Sequence, residues 1–171
     1  MSLEDTNVRE ENIVDLDMGA VKKTKFRING DNTKILELNI ADMGIINRLE
    51  EVYDDLKEMA NEATSNEVHD TDEETIRELS KQMMELDKKM REKMDYLFQA
   101  PVSDICAGNG TMFDPVEGKF RFEYIIEHLS NLYANNFKKE FDAMEKNISK
   151  RTAKYTTQDH LPSAKKRSRK N

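Results

Sequence analysis

The apolar positions of the chain change period as it is read from its start. Residues 1 to about 20 hold no sustained apolar period and read as an acidic, disordered arm. From Val21 to Ile40 the pattern alternates. Phe26 and Ile28 are interleaved with Lys25 and Arg27, Asn29-Gly30-Asp31-Asn32 supplies turn chemistry, and Ile35, Leu36 and Leu38 resume the apolar positions. Two short runs around Asn-Gly predict a β-hairpin, because both residues tolerate the positive φ of a tight turn. A lone hairpin is marginal in water, so this one must lie against the helices that follow or against a partner.

The period then lengthens. Ile45, Ile46, Leu49, Val52, Tyr53, Leu56, Met59 and Ala60 recur at helical steps, with charge on the opposite face and Asp42 placed to cap the start. This predicts a helix to about Ala63. Thr64 to Asp72 breaks the pattern and reads as a loop. A second helix opens near Thr71 or Asp72, where acidic residues suit the positive end of the helix dipole. Its apolar positions, Ile76, Leu79, Met83, Leu86, Met90, Met94 and Leu97, approach a heptad seam, and it must stop before Pro101. Ala100 to Lys119, with prolines and glycines, reads as an irregular connection with turns at Asp114-Pro115 and Glu117-Gly118. A last helix is expected from about Phe120 to Ser149, with a stripe of Phe122, Ile125, Ile126, Leu129, Leu132, Tyr133, Phe137, Phe141, Met144 and Ile148. The expected fold is mainly α with a small N-terminal hairpin (α+β): about three long helices in a bundle, a hairpin-plus-helix domain over 21–149, and disordered charged ends at 1–20 and 150–171.

Composition refines this picture. Of the 171 residues, 37% are hydrophobic and 36% charged, as expected if only the middle of the chain builds a core. A net charge of −7 disfavours general nucleic-acid binding. The distribution is uneven: the first twenty residues carry six acids against Arg9 alone, whereas Lys165, Lys166, Arg167, Arg169 and Lys170 crowd the last seven. A single cysteine, Cys106, excludes an intramolecular disulfide and a thiolate metal cage. No apolar run approaches the roughly 20 residues of a membrane span, and the acidic start is unlike a signal peptide. The expected compartment is the cytoplasm, and the sequons at Asn109 and Asn147 carry no weight there.

Candidate chemistry is sparse. Ala107-Gly108-Asn109-Gly110-Thr111 lacks the Lys-Ser/Thr pair of a phosphate loop and reads as a turn between helices. His69, His128 and His160 fall in a loop, a helix and a tail, and Glu123 and Glu127 near His128 fall on the wet face, so no metal set is expected. Asp70, Asp72, Glu73 and Glu74 lack the glycine and terminal glutamate of a calcium loop. Cys106 would need a histidine base to act as a nucleophile and otherwise reads as a partly buried thiol. The expectation is therefore no catalytic residues, no metal and no cofactor. Four of the ten methionines, Met83, Met84, Met90 and Met94, share one helix; flexible thioethers suit adaptable surfaces and ordinary cores alike.

The order of these features carries a resemblance. Lys25-Phe26-Arg27-Ile28-Asn29-Gly30 in a hairpin leads to a helix opening at Asp42 and running from Ile45 through Tyr53. A long charged helix follows, ending in Met94-Asp95-Tyr96-Leu97-Phe98. A glycine loop then leads into Phe122-Glu123-Tyr124-Ile125-Ile126-Glu127-His128-Leu129. Over roughly residues 22 to 148 this layout resembles the tail assembly chaperones of long-tailed phages and prophages of Gram-positive bacteria; the acidic first twenty and basic last twenty residues lie outside the pattern. The resemblance implies a non-enzymatic chaperone in the bacterial host cytoplasm. Such a protein coats the aggregation-prone tape-measure protein, helps recruit tail-tube subunits, and leaves the finished tail. Candidate partner contacts, by helix-in-groove packing, are Met83, Met90 and Met94 on the second helix and Phe137, Phe141 and Met144 on the last. The hairpin edge offers strand addition, and self-association is open. Two alternatives remain: a structural or adaptor protein of a virion, and a small nucleic-acid-binding regulator using the basic cluster Lys165, Lys166, Arg167, Arg169 and Lys170.

Overall fold

The computed structural model describes residues 16–65 and 72–156. The chain is mainly helical, with a two-stranded antiparallel hairpin near its N-terminus. Strand β1 (Thr24–Arg27) pairs with β2 (Ile35–Leu38) so that Phe26 faces Leu36 and Thr24 faces Leu38. The connection is longer than a two-residue turn. Asn29 and Gly30, both at positive φ, form a first turn closed by Asp31 N–H on the Ile28 carbonyl at 3.0 Å. A second turn follows, in which Lys34 N–H donates to the Asp31 carbonyl and the Asp31 carboxylate accepts from Thr33 N–H. Alternation sets the hairpin's inner face: Leu36 and Leu38 are fully buried, with Phe26 and Ile28 packed beside them.

Helix α1 (Gly44–Ser65) begins where the Asp42 carboxylate accepts from Gly44 N–H at 2.9 Å and binds the Arg48 guanidinium at 2.6 Å. Helix α2 (Glu73–Phe98) begins at Asp72, whose side chain caps Thr75 N–H at 2.7 Å. It ends at Gln99, which adopts the left-handed conformation just ahead of Pro101. The two helices run antiparallel: Arg48 Nε donates to the Leu97 carbonyl at 2.9 Å, Tyr96 bonds Glu51, and Lys93 pairs with Asp55. His69, Asp70 and most of the expected loop lie outside the described residues.

The stretch expected to be irregular contains two small elements. Helix α3 (Val102–Ala107) is capped from α2, where the Asp95 carboxylate accepts from Ser103 N–H at 2.8 Å and Ser103 Oγ at 2.9 Å. Strands β3 (Pro115–Val116) and β4 (Lys119–Phe120) pair around the two-residue turn Glu117–Gly118. Helix α4 (Arg121–Thr156) is the last element among the described residues and continues past Lys150, where the polar tail was expected to begin. Its buried positions are Phe122, Ile125, Leu129 and Tyr133, which meet Val52, Leu86, Met90, Met94, Leu97, Phe98, Met112 and the hairpin in one core. Asn136 Nδ2 donates to the Ile40 carbonyl at 3.2 Å and ties this helix to the hairpin's exit. No helix among the described residues is long and apolar enough to cross a membrane.

Candidate functional site

Only part of the last helix faces the core. From Phe122 to Phe137 the stripe lies on α2, α3 and the hairpin, with Phe137 half-buried and edge-on to Tyr133 at 6.1 Å. From Lys138 to Ala153 every residue is exposed. At 1.5 Å per residue, positions 138–156 run on for roughly 28 Å. The apolar period does not stop where the burial does. Phe141, Met144 and Ile148 are 53%, 54% and 62% exposed, and with Phe137 they are spaced four, three and four residues apart. That is the spacing of a coiled-coil seam, with Phe137 and Met144 at d and Phe141 and Ile148 at a. The flanking e and g positions are Lys138, Glu140, Glu145 and Asn147.

The six expected partner contacts divide accordingly. Phe141 and Met144 lie on the uncovered seam and Phe137 at its root. Met83 is half-buried at the edge of the core. Met90 and Met94 are 0% exposed. While the fold is intact these two expected contacts have no surface to offer, because the α2 seam packs inward against the core. Ile76, Met84 and Tyr96 are the large hydrophobic residues of α2 that are exposed. The basic cluster Lys165, Lys166, Arg167, Arg169 and Lys170 lies outside the described residues, as does His160.

A groove of about 470 Å3 opens between α1 and α4, lined by Leu49, Tyr53, Leu56, Ala60, Phe122 and Ile126. It was not foreseen, because Tyr53 and Ile126 read as members of buried stripes. No periodicity argument distinguishes a stripe that closes from one that stays ajar.

The glycine loop is held by side chains. The Arg91 guanidinium binds the Gly108 and Gly110 carbonyls and pairs with Asp87 at 2.8 Å, while the other Asp87 oxygen accepts from Met112 N–H at 2.6 Å. Arg121 donates to the Ala107 carbonyl at 3.1 Å and pairs with Asp114 at 3.1 Å. A Cβ on Gly110 would lie 2.5 Å from Arg121 Nη1 and 2.7 Å from Asp114 Oδ2, so a side chain there would displace the ends of this ion pair. Cys106 is partly buried. Burial pushes its thiol up to about 11, against the opposing pull of the Lys34 charge, which keeps it protonated at neutral pH.

The acidic and histidine clusters are likewise engaged. Glu127 pairs with Lys119, Glu123 accepts from Phe120 N–H at 2.9 Å, and the His128 ring stacks on Tyr124 at 4.0 Å. Among the described residues no three histidine, cysteine or carboxylate side chains converge.

No protein-family model, curated protein or solved structure matches the chain.

Proposed function

We propose that this chain is a binding protein that shields an apolar helix of its partner along the seam Phe137, Phe141, Met144 and Ile148. The observation that carries this is the continuation of one apolar stripe beyond the core, onto a stretch of α4 exposed on every face. A residue pattern kept at a/d spacing where the fold itself does not cover it fits a helical partner. The flanking charges disfavour a parallel homodimer. In a parallel homodimer Glu140 at g would face Glu145 at e of the other copy, a like-charge contact. A partner helix with lysine or arginine at those positions meets both carboxylates.

Together with the resemblance over residues 22 to 148, this supports a tail assembly chaperone that acts on the helical tape-measure protein in the host cytoplasm and helps recruit tail-tube subunits, without enzymatic chemistry. The test is co-expression with the tape-measure protein of the same phage. The full chain should keep it soluble in a complex that survives high salt. A Phe141→Ser, Met144→Ser, Ile148→Ser triple variant should lose the complex with its melting temperature unchanged. A tape measure that stays insoluble beside the native chain, or that binds the triple variant equally well, removes the proposal. Finding the chain in purified virions would favour a structural or adaptor role instead.

A further inference from the structure

A second cleft, of about 510 Å3, lies between the hairpin turn, the end of α3 and the first turns of α4. Its lining is cationic. Arg27 reaches it from β1, Lys34 from the end of the turn, and Arg121 and His128 from α4, yet no carboxylate lines it in a chain of net charge −7. Lys34 Nζ is 4.0 Å from where a Cβ on Gly108 would lie, which places the ammonium group beside the end of α3. Asp114 neutralises Arg121, but among the described residues neither Arg27 nor Lys34 forms an ion pair; the nearest acid, Asp31, is spent on Thr33 and feels the Lys34 charge only weakly. His128 spends Nδ1 on the Tyr124 carbonyl at 2.8 Å, which leaves Nε2 for another partner.

Arg27, Lys34 and Arg121 converge on the cleft with only Arg121 held in an ion pair, and an entering anion relieves the repulsion among them. Guanidinium and ammonium groups together suit a phosphate, which takes a forked donor on one side and a point charge on another. The cleft is too large for the anion alone, and Val116 and Ile125 form an apolar part of its lining. We propose that this cleft binds a small organic phosphate, with the phosphate on Arg27 and Lys34 and the carbon frame against Val116 and Ile125. The site is separate from the α4 seam and stands whether or not the seam binds a tape measure.

The test is an amide NMR titration of the full chain at low salt with inorganic phosphate and, separately, ribose 5-phosphate. Saturable shifts should appear at Asn29, Lys34, Gly108 and Tyr124, and ribose 5-phosphate should bind more tightly. The double variant Arg27→Gln, Lys34→Gln should weaken both ligands by about tenfold or more, since each lost charged contact is worth roughly a factor of ten. Lys138→Gln, Lys139→Gln, on the far part of α4, should leave both affinities unchanged. The variants' own spectra report whether they fold. Shifts that never saturate, or affinities the double variant does not alter, overturn the site. Equal affinity for the two ligands overturns its assignment to an organic phosphate.

Discussion

The two halves of α4 are written in the same alphabet. Phe122, Ile125, Leu129, Tyr133 in the first and Phe137, Phe141, Met144, Ile148 in the second follow the same helical spacing, with charge between them. The first set is buried and the second, beyond Phe137, is open. Side-chain chemistry does not separate them; the length of the other elements does. The hairpin, α2 and α3 cover the helix only as far as the Asn136–Ile40 bond. Periodicity thus states which face wants cover, and the rest of the chain decides whether the cover comes from within.

Hydrogen exchange would show the largest difference between the halves. An isolated helix of this length is marginal in water, so amides from about 140 to 153 should exchange as from a fraying helix. Amides from 125 to 133 should be protected close to the global unfolding free energy, on the order of 5 kcal/mol or more. Equal protection in the free protein would mean that something already covers the second half, and a second copy would be the first suspect. Sedimentation at high concentration would decide that point.

Methionine substitutions give the next largest contrast. Met94 is sealed in the core, so Met94→Ala should destabilise by about 2–5 kcal/mol through lost burial and the cavity it leaves. Met144→Ala, on the open seam, should change stability by no more than about 0.5 kcal/mol, read from chemical unfolding. Comparable losses at both sites would break the comparison.

Cys106 reports on whether the first half of α4 stays in place, because Tyr124 and Ile125 line the same cleft as the thiol. With the thiol held at about 11 instead of its ordinary 9.0, alkylation at pH 8 should run about 100-fold slower than for an unperturbed cysteine. The rate should still be climbing at pH 10. A plateau near pH 9 would show that the wall opens on the time scale of the reaction.

Much of the fold was legible in the residues, and for identifiable reasons. The hairpin rested on Asn29-Gly30, the α2 start on Asp72, and its stop on Pro101, each a local rule that the structure obeys. Helix α3 and the β3–β4 pair were not legible. Six residues are too few for a helical period, and two-residue strands show no alternation. Their order depends on Arg91, Asp95 and Arg121, which in sequence look like solvated charge and in space hold carbonyls and a helix cap. The burial of Met90 and Met94 was not legible for the reason the two halves of α4 illustrate: a seam's spacing does not say what lies across it. The cationic cleft was invisible because Arg27, Lys34, Arg121 and His128 come from separate elements.

Acid should weaken the start of α4, with the smallest effect of these. Where the helix begins, Asp114 accepts from Thr111 Oγ1 at 2.6 Å and Thr111 N–H at 3.1 Å and faces Arg121. The Thr111 hydroxyl first, then its N–H and the Arg121 charge, hold the Asp114 carboxyl below the usual carboxylate range in spite of opposing burial. The folded chain therefore binds this proton less readily than the unfolded chain does. The associated stability is complete above the unfolded value of about 3.9 and is lost as pH falls through the lower, folded value. Asp114→Asn keeps an acceptor for Thr111 but removes the charge. It should cost under about 1 kcal/mol at pH 7, because the pair is partly exposed, and should flatten the pH dependence of stability below pH 4. A variant as acid-sensitive as the native chain would assign that sensitivity elsewhere. Asp42 is the next carboxylate to examine: burial pushes it up, and its bonds to Arg48 and Gly44 N–H bring it below the usual range.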